Sequence, residues 1–390
     1  MDQRILISSG RVVTPHVIFD PGSILIQGTR IHKVGPDSIL RGQQAHTVID
    51  ASGCTVVPGF IDLHVHGGGG ADAMDASPEA IAQMGEFHVK HGTTGFVPTV
   101  MSSPKEEMLA ATRAIARASW TSWENSAQVL GVNLEGPFLS LERKGAQPPE
   151  GIQAPDRGTL QSLLEAGQGL VRICSVAPEA DGVLDLISLL ASLNVVVAAG
   201  HSDATFVQME AGVSRGLSHV THTFNAMRGL HHREPGVVGA ALVMDGLTCE
   251  VVADGLHVHP AMVSLLARVK GNMRTILITD AMRAAGLPDG EYDLAGQHVT
   301  VADGQARLDS GVLAGSTLTM GQAFRNMVNL VGVSVQDAAC MASTAPAAVI
   351  GLSSRKGRLE AGMDGDVVVL DSELEVRNVI VAGRVVYSRE

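Results

Sequence analysis

Pro58-Gly59-Phe60-Ile61-Asp62-Leu63-His64-Val65-His66-Gly67 is an apolar run that ends in two histidines and passes into the glycines Gly67 to Gly70. In a strand, residues two apart point to the same face, so His64 and His66 present their imidazoles side by side. Two neutral imidazoles at a strand end suit a divalent metal, and the glycines let the backbone turn away without side chains crowding it. Alone, the pair also reads as hydrogen-bonded histidines closing a core strand. The rest of the chain strengthens the metal reading.

Outward from this stretch, strand-like and helix-like segments alternate. Strand candidates end at His64/His66, Pro98-Thr99-Val100, Leu134-Glu135-Gly136-Pro137, Val176-Ala177-Pro178-Glu179, Ala199-Gly200-His201-Ser202-Asp203, Thr221-His222-Thr223, Ala253-Asp254-Gly255-Leu256-His257 and Ile278-Thr279-Asp280. Helical patterns fill most of the gaps, for example Pro78 to His91, Lys105 to Ala118, Asp181 to Leu193 and Pro260 to Lys270. About eight strands alternating with helices predict an α/β protein, an eight-stranded parallel (β/α)8 TIM-like barrel, which suits a chain of 390 residues. In that fold the C-terminal strand ends carry the active site.

The two ends of the chain have another texture. Arg4-Ile5-Leu6-Ile7, Ser23-Ile24-Leu25-Ile26 and Ile31-His32-Lys33-Val34 are short strand patterns separated by turns, as are Gly365 to Asp371 and Val379 to Tyr387. The first group predicts a small antiparallel sheet, and both groups together a β-sandwich built from residues 1–57 and 351–390 around a barrel at 58–350.

Composition narrows the function classes. Hydrophobic residues make up 45% of the chain and charged ones 17%, which fits a well-buried globular protein. A formal net charge of −12 argues against a nucleic-acid backbone or an anionic membrane as partner. Any anionic substrate must then meet a local cluster of donors. Cys54, Cys174, Cys249 and Cys340 form no CxxC pair and read as reduced core residues. Met1-Asp2-Gln3-Arg4 leads straight into strand pattern without the layout of a signal peptide, and apolar runs such as Val237 to Met244 are too short to span a bilayer. A cytoplasmic protein is expected.

At the strand ends, Glu135 would on its own be a capping or salt-bridged carboxylate, and His201 and His222 satisfied core histidines. Together they are ligand types from three strands, suited to Zn²⁺, Fe²⁺ or a similar ion. A buried charge such as Glu135 also requires a partner. Asp280, a turn aspartate in isolation, becomes the candidate general base beside a metal.

The chain resembles the amidohydrolase superfamily and, within it, the N-acetylglucosamine-6-phosphate deacetylase family. The resemblance is carried by Pro58 to Gly67, Leu134-Glu135-Gly136-Pro137-Phe138, Lys144-Gly145-Ala146, Gly200-His201-Ser202, Thr221-His222-Thr223-Phe224-Asn225-Ala226-Met227, His232-Arg233-Glu234-Pro235-Gly236, Ala253-Asp254-Gly255-Leu256-His257, Thr279-Asp280-Ala281 and Leu313-Ala314-Gly315-Ser316. It implies a metal-dependent hydrolase that removes acetate from N-acetyl-D-glucosamine 6-phosphate in amino-sugar metabolism. It also implies one or two divalent ions per chain, with Glu135, His201 and His222 as the main ligands and His64 and His66, joined by Asp280, at a second site that some members lack. Asp280 matches the catalytic aspartate, acting first as base and then as acid. His257 matches the histidine that contacts the acetamido carbonyl. Ala146, Asn225, Ala226, Leu313, Ala314 and Gly315 match substrate-contacting positions. Arg233 matches a phosphate-binding arginine supplied across a homodimer interface.

One position departs from the family pattern. Where a histidine usually follows Lys144-Gly145-Ala146, this chain has Gln147, which can still hydrogen-bond a sugar hydroxyl but cannot titrate near neutrality. The other functional readings are a different amidohydrolase, such as a deaminase or an N-acyl-amino-acid deacetylase, or a non-catalytic barrel. The presence of a carboxylate, four histidines and the aspartate at matching positions favours catalysis.

Overall fold

The computed structural model describes residues 3–121 and 123–389. Its centre is a set of parallel strands that we number β1 (Phe60–Val65), β2 (Thr93–Met101), β3 (Val132–Glu135), β4 (Val171–Val176), β5 (Val196–Ala199), β6 (Leu217–Val220), β7 (Thr248–Val252) and β8 (Thr275–Ile278). Each pairs in parallel with the next in chain order. The residues of β1, β2, β3 and β8 are buried throughout, which is why they read as continuous apolar runs rather than as alternating ones. All eight strands fall where the sequence places them.

A helix follows each of the first seven strands: Pro78–Val89, Lys105–Trp120, Arg157–Ala166, Val183–Ser192, Phe206–Ser214, Gly236–Val243 and Pro260–Lys270. The first is started by Ser77, whose side chain accepts from Ala80 N, with Pro78 behind it in the first turn. It buries Ile81, Met84, Gly85 and His88 at helical spacing. A large apolar cluster joins strand residues such as Phe96, Val100 and Leu134 to helix residues such as Met84, Met108, Ile115 and Leu160. Phe60 stacks on Phe324 of the late helix Met320–Asn326 with ring centroids 5.2 Å apart, tying the first strand to the end of the barrel. Truncating so buried a ring costs about 3–5 kcal/mol.

Among the described residues no ladder joins β8 to β1, and polar groups close the barrel instead. Asp62 accepts from Thr279 N at 3.2 Å and from Thr279 Oγ1 at 2.5 Å, while Asp280 N donates to His64 O at 2.9 Å. The same seam therefore fixes the first histidine and the catalytic candidate Asp280 relative to each other.

The two termini build one eight-stranded sheet, in which Thr55–Pro58 is the junction: it runs parallel to Arg4–Val13 and antiparallel to Val367–Leu370. The sheet is mixed rather than purely antiparallel, because Thr47–Asp50 also runs parallel to the first strand. Its apolar face gathers Ile5, Ile7, Ile24, Ile26, Val56, Val367, Val369 and Ile380 in one cluster. The run from Val379 to Tyr387 is split into Val376–Val381 and Arg384–Ser388 by a turn at Ala382 and Gly383, both at positive φ.

A third sheet was not apparent from the sequence. After β8 the chain forms Gly290–Leu294, Gln297–Ala302 and Gln305–Leu308, an antiparallel meander joined by the two-residue turns Ala295-Gly296 and Asp303-Gly304. All four turn residues have positive φ, the geometry that matches strand twist in tight hairpins. The four cysteines are unpaired, and no helix among the described residues is long and apolar enough to cross a membrane.

Candidate metal centre and active site

Glu135 is the last residue of β3, and His201 and His222 lie just beyond β5 and β6. Glu135 Oε1 is 3.0 Å from His201 Nε2 and 3.0 Å from His222 Nε2, which are 3.1 Å from each other. Beside this triangle stands a second. His64 and His66 Nε2 are 3.3 Å apart, and Asp280 Oδ1 lies 3.5 Å from the former and 3.1 Å from the latter. Glu135 joins the two, with Oε1 at 3.4 Å from His64 Nε2 and Oε2 at 3.4 Å from His66 Nε2.

The donor set fits a divalent metal. A tetrahedral ion bonded to nitrogen and oxygen at about 2.0–2.1 Å holds its ligand atoms about 3.3 Å from one another, close to the edges of both triangles. Either group, Glu135/His201/His222 or His64/His66/Asp280, could hold an ion, and every member is buried. Imidazole nitrogens facing each other at 3.1 and 3.3 Å are poorly satisfied by protons alone, and the Nδ1 atoms of His66 and His222 have no hydrogen-bond partner among the described residues.

Backbone conformation confirms that these ends are specialised. His201 (φ 47°), His222 (φ 24°) and Asp280 (φ 51°) all sit in the left-handed region, as do Phe224 and Ala226. For residues with a Cβ each such turn costs about 1–3 kcal/mol, and it persists only where surroundings over-determine it. Here they do: His201 Nδ1 donates to Arg143 O at 3.0 Å, His222 N donates to Glu250 Oε2 at 3.0 Å, and Asp280 N is held by His64 O.

Glu250 and His219 escaped the sequence reading. Glu250 lies inside β7 with no exposure and accepts from three donors, His64 Nδ1, His219 Nε2 and His222 N, each at 3.0 Å. His219 in turn meets Thr248 Oγ1 at 2.6 Å through Nδ1. Because His64 gives Nδ1–H to Glu250, its Nε2 is free to ligate. The available signal was a charged residue inside the apolar run Thr248-Cys249-Glu250-Val251-Val252, where an unpaired carboxylate would be costly.

Electrostatics follow from this crowding. Burial alone would raise the Glu135 carboxyl, but His64 and His201 outweigh it and hold it well below the usual range. Asp280 is likewise held low despite burial, chiefly by its bond to His66. Burial disfavours charge on His257, yet the Asp254 carboxylate, 2.6 Å from Nδ1, outweighs it and the net shift is upward.

A cavity of about 260 Å³ opens over both triangles, lined by His66, Met101, Glu135, Gly145, Ala146, Gln147, His201, His222, Asn225, Ala226, His257, Asp280, Leu294, Val312, Leu313 and Gly315. Most of the residues singled out from sequence meet here. Ala314 does not line it: the side chain is fully buried and its N–H donates to Ala306 O. Arg233 is exposed on the loop before Gly236–Val243, where its guanidinium hydrogen-bonds, among the described residues, with His232 alone. The described lining contains no lysine or arginine. Gln147, although buried, also lines the cavity, and its amide is engaged on the protein side: its Nε2 donates to Glu135 Oε2 at 2.6 Å and its Oε1 accepts from Ser102 N at 2.9 Å.

Residues 55–386 match the amidohydrolase family. The chain is 39% identical over 378 residues to an N-acetylglucosamine-6-phosphate deacetylase of Lysinibacillus sphaericus, covering 97% of this chain and 95% of that one. It is 42% identical over 327 residues to an N-acetylgalactosamine-6-phosphate deacetylase of Escherichia coli O157:H7, covering 84% and 86%. Among solved structures it superposes with a TM-score of 0.93 and 36% identity on N-acetyl-D-glucosamine-6-phosphate deacetylase from Mycobacterium smegmatis in complex with N-acetyl-D-glucosamine-6-phosphate, over 99% of this chain and 100% of that one. With identity of this level over nearly its whole length, the chain belongs to the amidohydrolase family and, within it, to the N-acetylglucosamine-6-phosphate deacetylases.

Proposed function

We propose that this chain hydrolyses the acetamide of N-acetyl-D-glucosamine 6-phosphate to acetate and D-glucosamine 6-phosphate. The observation that carries the reading is the convergence of Glu135, His201 and His222 with Asp280 in one cavity that His257 also lines. The nitrogen-rich donor set favours Zn²⁺ or Fe²⁺ over Mg²⁺ or Ca²⁺. We read Glu135, His201 and His222 as ligands of the tighter ion and His64, His66 and Asp280 as ligands of a weaker one.

A bound divalent ion supplies an acidified water and polarisation of the acyl carbonyl. Asp280, kept ionised at neutral pH by His66 and its neighbours, takes the proton from the attacking water and returns it to the departing amine. His257, oriented by Asp254 through Nδ1, gives an Nε2–H to the oxygen on which negative charge develops. Asn225, Ala226, Ala146, Leu313 and Gly315 shape the sugar site. With no cation in the described lining, the phosphate needs one from elsewhere, and exposed Arg233 of a second copy supplies it in a homodimer. The terminal sheet, residues 1–57 with 351–390, forms a domain that buttresses the barrel at 58–350, and unpaired cysteines suit a cytoplasmic enzyme.

The Escherichia coli relative favours a second substrate, the 4-epimer N-acetyl-D-galactosamine 6-phosphate. Acetate release from both sugar phosphates and from unphosphorylated N-acetylglucosamine tests the reading. N-acetyl-D-glucosamine 6-phosphate is expected to be preferred and the unphosphorylated sugar poor. Preference for the galacto epimer would reassign the substrate, and equal use of the unphosphorylated sugar would remove the phosphate from recognition.

A further inference from the structure

Gln147 is 2% exposed, and both ends of its amide are committed. Ser102 N–H can only donate, so the amide oxygen must be the atom that faces it at 2.9 Å, and the NH₂ is thereby aimed at Glu135 Oε2, 2.6 Å away. Ser102 also fastens the backbone of the same glutamate, its Oγ donating to Glu135 O at 3.1 Å. The carboxylate plane of Glu135 is therefore set by a two-point clamp, with Oε2 pulled toward Gln147 and Oε1 left pointing between His201 and His222.

We propose that Gln147 is a positioning residue for metal binding: its amide locks the rotation of Glu135, so that Oε1 is presented ready-made to the first ion. The bond has a second consequence. A carboxylate oxygen accepting a short hydrogen bond has less lone-pair capacity left, so Oε2 is the poorer ligand and the His64/His66/Asp280 side the weaker site. Without the clamp the carboxylate is oriented by the ligand histidines alone and must be further ordered when an ion binds, and loss of such outer partners typically weakens metal binding 10–100-fold.

The proposal rests on Glu135, His201 and His222 being a metal site, and the test separates the two. Chelator-stripped wild type, Gln147→Met and Gln147→Asn are titrated with Zn²⁺ against a competing chelator. The unfolding midpoints of the metal-free proteins and the visible spectra of the Co²⁺-loaded forms are recorded alongside. Methionine keeps the length without the hydrogen bonds. Asparagine keeps the amide but is one methylene too short to reach Ser102 and Glu135 together, and it carries the test if the methionine variant does not fold. The expected result is first-ion affinity 10–100-fold below wild type, with an altered Co²⁺ spectrum, in variants whose metal-free form still unfolds in one cooperative transition; the midpoint itself falls, because Ser102 N and Glu135 Oε2 lose a buried partner. Wild-type affinity and an unchanged Co²⁺ spectrum in either folded variant would overturn the role of Gln147 while leaving the metal site intact. Failure of wild type itself to bind Zn²⁺ would overturn both.

Discussion

Replacing Glu250 tests whether the centre is held together from behind. Its carboxylate has no exposure and accepts from His64 Nδ1, His219 Nε2 and His222 N, each at 3.0 Å. Burial alone would raise its carboxyl, but His64 and His219 outweigh this and hold it well below the ordinary value. Glu250→Ala leaves three buried donors without an acceptor, at about 1–3 kcal/mol each. Water entering the space recovers part of that, so the expected net loss is about 3–5 kcal/mol, the usual cost of breaking a buried ion pair. Glu250→Gln should behave differently. Its amide oxygen can serve His64 and His222, while its NH₂ meets His219, which need only switch tautomer and donate through Nδ1 to Thr248 Oγ1. That variant keeps most of the stability but makes His64 a less basic ligand, weakening its ion about 10–100-fold. Urea unfolding of metal-free protein and a chelator-competed Zn²⁺ titration read the two effects. Wild-type stability of Glu250→Ala, or a Glu250→Gln as unstable as Glu250→Ala, would mean that Glu250 does not hold the centre from behind.

Asp280→Asn should keep the first ion and substrate binding while losing about 10²–10⁴-fold in turnover, so near-normal turnover would remove Asp280 from proton transfer. His64→Asn/His66→Asn should lower the Zn²⁺ stoichiometry from two events to one with measurable activity retained; a wild type that saturates at one ion under every metal tried would contradict the second site. Arg233→Ala should raise KM more than it lowers kcat, and confirmed heterodimers of Arg233→Ala with Asp280→Asn should regain activity; an absence of recovery would mean that each chain uses its own arginine. Burial pushes the His88 imidazole down to about 4 from 6.5, only partly opposed by its bond to Gly67 O. Its folded value is depressed, so the stability it contributes is present above pH 6.5 and lost as pH falls toward 4, up to about 3 kcal/mol. Unfolding free energies across that window should therefore fall less steeply in His88→Leu than in wild type, and identical slopes would exclude His88 as a source.

The barrel was legible because its strands are buried on both faces, so each appears as an apolar run that stops at a polar residue. Those stops, Glu135, His201, His222 and Asp280 among them, are the chemistry of the site. Residues inside the strands were harder to see. Glu250 and His219 point to the same interior as the ligands, but nothing in one sequence pairs a glutamate with a histidine 31 residues away. Gln147 could be read from sequence only as a group able to hydrogen-bond a sugar hydroxyl, because the partners its amide meets in the fold, Ser102 N and Glu135 Oε2, are not its sequence neighbours. The meander at 290–308 carried its own signal in Asp303-Gly304 between alternating runs, a tight-hairpin dipeptide. Arg233 marks where a single chain runs out: the sequence motif names it, yet among the described residues of one copy its guanidinium hydrogen-bonds with His232 alone.

If a metal ion at Glu135, His201 and His222 makes this cavity a deacetylase, activity must follow the metal. The most direct measurement follows acetate released from N-acetyl-D-glucosamine 6-phosphate by proton NMR while Zn²⁺ is returned stepwise to chelator-stripped protein, with bound metal quantified in each sample. Stripped protein should release almost no acetate, and the rate should rise in proportion to occupancy of the first ion. Full turnover by metal-free protein, or no acetate from fully loaded protein, would contradict it.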